Sequence, residues 1–144
     1  MKLNVKRIDK NLELPEYKTK GAVGFDLTAR QDTIIKPFEV TLIPLNIVVK
    51  VPKGYGLFLF SRSSVPGKKG LMVANSVGVI DQDYHGEGDE IKMAALNFTK
   101  KDVIVEKGER ICQGIIMKIA VPIITEVKKM ASISRGGFGT TGHK

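Results

Sequence analysis

The chain has 144 residues, 42% of them hydrophobic and 26% charged, which are globular proportions that exclude a disordered polymer and a disulfide scaffold. One single-core domain is the expectation at this length. Twenty-three Lys+Arg against 15 Asp+Glu leave a formal charge of +8, which suits an anionic partner: nucleic acid, a membrane surface or a phosphorylated small molecule. Along the chain, short stretches rich in Val and Ile alternate with Gly, Pro and charged turns. They predict strands at Leu3 to Ile8, Ala22 to Ala29, Thr33 to Lys36, Val40 to Val51, Gly56 to Phe60, Ser76 to Ile80, Ile91 to Thr99, Val103 to Val105, Ile111 to Ile119 and Ile123 to Val127. Turns are expected at Pro52-Lys53-Gly54, Pro66 to Gly70, His85 to Asp89 and Lys107-Gly108-Glu109. No window carries an uninterrupted helical stripe, so the prediction is an all-β sandwich, barrel or jelly roll with at most one short helix. No linker divides the chain: residues 1–134 form one β-domain, and 135–144 form a flexible Gly-rich arm.

The lysines fall as pairs, at Lys68 and Lys69, Lys100 and Lys101, and Lys128 and Lys129, without the block of like charges that marks a nucleic-acid tail. Specific nucleic-acid binding is therefore not expected, and most of these lysines read as solvated surface. Cys112, the single cysteine, lies in the apolar run Ile111 to Ile116 and reads as a small buried hydrophobe in a reducing compartment. No apolar run reaches the roughly 18 to 20 residues that span a bilayer, and Met1 to Lys10 lacks a signal-peptide core. The expectation is a cytoplasmic protein with no membrane partner.

Three segments carry residues suited to nucleotide chemistry. In Phe60 to Lys68, an apolar strand ends in Arg62, Ser63 and Ser64, a donor set that suits phosphate oxygens and also occurs in ordinary polar turns. In Asn75 to Gly86, the apolar Val77 to Ile80 delivers Asp81, Asp83 and Tyr84 to a turn. Asp81 can accept a proton from water and Tyr84 can pack on a sugar or base; the alternative is an Asx turn closing a hairpin. The last ten residues, Arg135 to Lys144, combine four glycines with Arg135, Phe138, Thr140 and Thr141. That composition suits either a disordered tail or a nucleotide lid whose amides and hydroxyls close on an anion. Asp26, inside the apolar Gly24 to Leu27, is a hydrogen-bond acceptor or a metal partner. The chain has no His/Cys ligand cluster, no P-loop and no Gly-x-Ser-x-Gly elbow, so zinc, ATPase and α/β-hydrolase chemistry find no support.

Taken in order, five segments resemble the signature segments of the homotrimeric dUTP pyrophosphatase (dUTPase) family and span nearly the whole chain. They are Ala22-Val23-Gly24-Phe25-Asp26-Leu27; Ser61-Arg62-Ser63-Ser64 with Lys68 and Gly70; Asn75 through Gly86; Gly108-Glu109-Arg110-Ile111-Cys112-Gln113; and Arg135-Gly136-Gly137-Phe138-Gly139-Thr140-Thr141-Gly142. The third, with Gly78-Val79-Ile80-Asp81-x-Asp83-Tyr84-x-Gly86, is the most specific.

The resemblance implies a jelly-roll-like subunit (β-clip) assembling as a homotrimer whose active sites are shared between chains. The implied activity is hydrolysis of dUTP to dUMP and pyrophosphate by Mg²⁺-assisted attack of water on the α-phosphate. Asp81 matches the carboxylate that deprotonates the water, and Asp26 the carboxylate that holds Mg²⁺ through water. Asn75, Val79, Ile80 and Lys92 match positions on a β-hairpin that reads uracil, and Tyr84 the ring that leaves no room for a 2′-hydroxyl. Arg62, Ser63, Ser64 and Gln113 match phosphate-facing positions, and Arg135 the arginine that reaches the γ-phosphate. Phe138 matches the ring that stacks over uracil, with Gly139, Thr140 and Thr141 closing on the phosphates. Two departures from the family pattern stand out: Gly88-Asp89-Glu90 lengthens the turn before Ile91, and only two glycines separate Arg135 from Phe138. Two other readings share the fold, a dCTP deaminase with or without dUTPase activity, and a regulatory or nucleic-acid-binding protein. The complete third segment and terminal arm favour plain hydrolysis.

Overall fold

Side chains alternate between core and solvent most plainly in Lys92–Asn97, where Met93, Ala95 and Asn97 are buried and Lys92 is exposed. The same period recurs in short strands throughout the computed structural model, which describes residues 1–137. The strands are β1 (Asn4–Arg7), β2 (Phe25–Thr28), β3 (Thr33–Ile35), β4 (Val40–Pro44), β5 (Ile47–Lys50), β6 (Tyr55–Ser61), β7 (Leu71–Val73), β8 (Gly78–Ile80), β9 (Lys92–Asn97), β10 (Val103–Val105) and β11 (Arg110–Lys118), with one short helix, α1 (Val65–Lys69), between β6 and β7. They form a four-stranded sheet in the order β2-β11-β6-β8, a three-stranded sheet in the order β4-β9-β7, and the pairs β1-β5 and β10-β3, all antiparallel. This is the all-β, jelly-roll-like architecture with a single short helix that the sequence predicts.

The core is continuous between these sheets. Leu27, Ile35, Ile43, Ile47, Leu57, Leu71, Ile91, Met93 and Ile111 are among its fully buried side chains. Asn97 is fully buried among them, and it is satisfied: Nδ2 donates to the carbonyls of Ile35 (2.9 Å) and Lys101 (2.8 Å), while Oδ1 accepts from the Thr99 amide at 2.8 Å. Cys112 is buried as expected, and burial pushes its thiol up to about 12, so it stays protonated and unreactive at neutral pH.

β2 starts at Phe25 and not at Ala22, α1 takes the place of the turn expected over Pro66 to Gly70, and four further differences from expectation follow. Val40 to Val51 is two strands, because Asn46 adopts φ +67° and turns the chain between β4 and β5. The strand expected from Ser76 starts at Gly78, because Ser76 has φ +64°. Leu71–Val73, expected to lie beyond a turn, pairs with β9 as an additional strand. Ile123 to Val127 is no strand: Ile123 and Ile124 are 94% and 96% exposed, and β11, ending at Lys118, is the last element among the described residues.

Backbone proximity at the sheet centre has a measurable consequence. Gly114 of β11 faces Phe25 of β2 and Leu59 of β6, and a Cβ there would meet the Phe25 ring at 2.6 Å and the Leu57 side chain at 3.1 Å. Gly114→Ala overpacks the core and is expected to lower stability by about 1–3 kcal/mol, read as a lower urea midpoint at unchanged slope.

Candidate active site

Strand β6 runs seven residues, so its ends lie about 20 Å apart at roughly 3.3 Å per residue. Two groups of the residues singled out in the sequence, around Asp26 and Arg62 and around Asp81, lie toward these two ends. At the C-terminal end, register places Gln113 of β11 opposite Asp26 of β2, and a bulge between Arg110 and Cys112 offsets Arg110 from the regular ladder. Asp26 is only 7% exposed. Arg110 Nη1 donates to its Oδ2 at 2.9 Å, Gln113 Nε2 to its Oδ1 at 3.4 Å, and Arg62 Nε lies 3.0 Å from Oδ1. The Arg62 Nε–H is not aimed along that line, so the contact is an ion pair without a formed hydrogen bond from Nε. Arg62 Nη1 does donate, to the Arg110 carbonyl at 3.1 Å. A carboxylate this deeply buried needs neutralisation, and two guanidiniums provide it.

The cluster carries two cations against one anion, and it borders a recess of about 280 Å³ lined by Arg62, Ser64, Val65, Lys68, Lys69, Glu109 and Arg110. Lys69 is engaged by Glu109 at 2.8 Å, whereas Lys68 is exposed. Ser64 sits at the cap position of α1 without a side-chain capping bond, and Ser63 is exposed. The recess is thus lined by donors in excess, the pattern that suits phosphate oxygens. For a divalent cation, Asp26 fits as a partner through water and not as a direct ligand. Of the roughly four acceptor directions on a carboxylate, Arg110 and Gln113 take two by hydrogen bonds, and the Arg62 guanidinium stands against Oδ1 as a charge neighbour.

At the other end of β6, β8 pairs with Leu57 to Leu59 and delivers Asp81 just beyond Ile80. Asp81 is exposed and helps to line an open recess of about 500 Å³ with Tyr55, Phe58, Val79, Ile80, Asp83 and Val121 among its neighbours. Tyr84 is 40% exposed, and its hydroxyl donates to the Glu90 carbonyl at 3.3 Å. Asn75 is exposed beside the left-handed Ser76, between β7 and β8. Lys92 is exposed at the start of β9, opposite Pro44.

The uracil-reading hairpin implied by the resemblance is open. Among the described residues β8 pairs with β6, β9 pairs with β4 and β7, and no ladder joins β8 to β9. Between them the backbone spends its groups on local turns: Tyr84 N to Asp81 O at 3.4 Å, His85 N to Asp83 O at 3.0 Å, Asp89 N to Gly86 O at 3.1 Å and Glu90 N to Gly88 O at 2.8 Å. The extra Gly88-Asp89-Glu90 supplies the last two of these turns.

A single chain therefore brings Asp26, Arg62, Ser64 and Gln113 together, and separately Val79, Ile80, Asp81 and Tyr84; the two recesses share no lining residue. Arg135 is exposed in a segment without helix or strand, and Phe138, Gly139, Thr140 and Thr141 lie outside the described residues. Arg110 received no role in the sequence reading; the available signal was its place in the fourth segment, three residues before Gln113.

The dUTPase family model matches residues 10–142. The deoxyuridine 5′-triphosphate nucleotidohydrolase of Hydrogenobaculum sp. is 43% identical over the full length of both chains. Its counterpart from Helicobacter pylori (strain J99) is 38% identical over 99% of this chain and 97% of its own. Among solved structures, the dUTPase of Streptococcus mutans superposes with a TM-score of 0.78 at 37% identity, covering 83% of this chain and 98% of that one. A variant of the Staphylococcus bacteriophage 80alpha dUTPase with dUpNHpp gives a TM-score of 0.84 at 27% identity over 99% of both chains. A match over this much of the chain, with the five segments falling on the two ends of β6 and on the C-terminal tail, shows that the protein belongs to the dUTPase family.

Proposed function

We propose that the protein hydrolyses dUTP to dUMP and pyrophosphate, and that it does so as a homotrimer whose sites are each built from more than one chain. The observation that carries this reading is the division of the candidate residues between opposite ends of β6. A donor-lined recess suits a triphosphate, an exposed carboxylate beside a largely apolar recess suits water activation next to a base, and one chain keeps them about 20 Å apart. Assembly of copies joins one chain's phosphate end to another's Asp81 end.

Exposed apolar surface supports that assembly. On the outer face of β4-β9-β7, Val40, Leu42 and Met72 are 56%, 59% and 42% exposed, and register places Leu96 beside both Val40 and Met72. Val121, Ile123, Ile124 and Ile133, beyond β11, are more exposed still. Apolar patches of this kind mark contact surfaces.

In the assembled site, Asp81 takes a proton from the water as its oxygen bonds to the α-phosphorus and the bond to the pyrophosphate oxygen breaks. Arg62, Ser63, Ser64 and Gln113 hold the phosphates, with Arg135 reaching the γ-phosphate. Asn75, Val79, Ile80 and Lys92 present backbone and side-chain groups to uracil, and Tyr84 excludes a 2′-hydroxyl. Residues 135–144 close as a lid, with Phe138 over the base and Gly139, Thr140 and Thr141 on the phosphates. Asp26 would hold Mg²⁺ through water, and the cation would supply charge neutralisation on the phosphates. Phosphoryl transfer of this kind relies on positioning and electrostatics, which these groups provide. The reaction keeps dUTP low, limits uracil incorporation into DNA and supplies dUMP for dTMP synthesis in the cytoplasm. Relatives named as nucleotidohydrolases favour it over dCTP deamination.

Pyrophosphate release from dUTP in the presence of Mg²⁺ is the direct test, and release no faster than in buffer overturns the reading. Asp81→Asn is expected to lower kcat by about 10²–10⁴ while dUTP binding, measured by calorimetry, persists. Shared sites predict complementation. Asp81→Asn and Arg62→Ala chains, each inactive alone, are mixed one to one, unfolded and refolded together. They should regain about a quarter of wild-type activity when each site takes the two residues from different chains. Light scattering of the wild-type protein should give the mass of three chains.

A further inference from the structure

The turn that carries Asp81 and Tyr84 is tied near its start at Gln82, whose Nε2 donates to the Tyr55 carbonyl at 2.9 Å, and at exposed Glu87, whose carbonyl and carboxylate both meet Lys6 Nζ. Residues 81–89 are exposed or half-buried, and the chain re-enters the core at Glu90 and Ile91. Glu90 is 8% exposed and gripped from two sides. Arg30 forks onto it, Nε to Oε1 at 2.7 Å and Nη2 to Oε2 at 3.0 Å, and the Asn46 amide donates to Oε1 at 2.9 Å. Both anchors are themselves fixed. The Arg30 amide donates to the Pro44 carbonyl at 2.9 Å. Asn46, 1% exposed and left-handed, bonds the Asp9 backbone on both sides, with Oδ1 accepting from the amide at 2.7 Å and Nδ2 donating to the carbonyl at 3.0 Å. The carbonyl of this same Glu90 receives the Tyr84 hydroxyl.

We propose that the Arg30–Glu90–Asn46 cluster is a latch that positions Tyr84, so that Glu90 and Arg30 are positioning residues for the enzyme's choice of deoxyribose over ribose. The inference rests on the reading of Tyr84 as the ring that excludes a 2′-hydroxyl. Gly88-Asp89-Glu90 lengthens the turn, and a longer, glycine-containing turn has more conformations to lose. A bidentate pair buried at its last residue removes that slack where it matters, on the side chain of the same residue whose carbonyl holds Tyr84. Arg30 and Glu90 touch neither of the two recesses, so their effect on substrate choice passes through the turn.

The test compares kcat/KM for dUTP and UTP in wild type, Tyr84→Phe, Glu90→Gln, Arg30→Met and the double variant Arg30→Met/Tyr84→Phe, with thermal unfolding recorded for each. Glu90→Gln keeps an acceptor for the Asn46 amide while breaking the ion pair. Arg30→Lys keeps the charge without the fork, and serves should Arg30→Met fail to fold. The expected result is a dUTP:UTP preference lowered about tenfold in the Glu90 and Arg30 variants, with little added by Arg30→Met once Tyr84 is Phe. A preference within twofold of wild type in folded variants overturns the latch, as does a fully multiplicative effect in the double variant. A wild-type protein inactive on dUTP overturns the hydrolase reading, and an unchanged preference in Tyr84→Phe overturns the hydroxyl's role. Those failures are therefore distinct from failure at Arg30 and Glu90 alone.

Discussion

Consecutive register pairs from Cys112–Ser61 to Lys118–Tyr55 lock β11 against β6 along their whole shared length, and most of the molecule takes its position from that ladder. β2 attaches to the other edge of β11, which puts Asp26 beside Gln113 and within reach of Arg110. β8 attaches to the other edge of β6, which puts Asp81 beyond Leu57. A one-residue slip would turn Gln113 toward the core and Cys112 toward solvent, because side chains change face at every step. Gly114 at the centre admits the Phe25 ring against its backbone and so closes the seam between β2 and β11.

The same ladder explains why the overall charge of +8 says little by itself. Many of the cations are spent in surface pairs: Lys36 with Asp102 at 2.7 Å, Lys107 with Asp9 at 2.7 Å, Lys69 with Glu109 at 2.8 Å, and Lys6 with Glu87. Exposed pairs of this kind are screened by solvent, contribute little to stability and specify no ligand. Arg62 and Arg110 differ because they meet at a carboxylate that is nearly out of water, where the fold fixes both guanidiniums beside a recess. The location of two cations, set by strand register, is therefore more informative than the sum of twenty-three.

Strand content was legible in the sequence because Val- and Ile-rich runs bounded by Gly and Pro have few other ways to bury themselves. Lys92–Asn97 and Arg110–Lys118 lie where the pattern puts them. Leu71–Val73 was not legible: three residues are too few for a period, and Met72 between two buried neighbours faces solvent. Ile123 to Val127 misled for the opposite reason. Its composition is that of a strand, but a strand needs a partner, and within one chain none is placed beside it. The site divides the same way. Asp26, Arg62, Asp81 and Tyr84 belong to contiguous motifs and could be named from the sequence. The pairing of Asp26 with Arg110, 84 positions apart, and of Arg30 with Glu90, 60 apart, depends on strand order, which no local pattern encodes.

Stability and function are thus placed in different parts of the molecule. Leu27, Leu57, Met93 and Ile111 bury themselves within one chain, whereas Asp81 sits just past a three-residue edge strand and Arg62 at the far end of its neighbour. A short edge strand is a poor template for unwanted pairing, and it leaves Asp81 and Tyr84 on a largely exposed turn that is tied at Gln82, Glu87 and Glu90. Chain association stabilises only what it touches, and in proportion to subunit concentration. A restraint on the turn between β8 and β9 that lies within one chain acts at any concentration. Glu90, bonded by Arg30 on one side and by the left-handed Asn46 on the other, is such a restraint, and it lies in the extension where the chain departs from the family pattern.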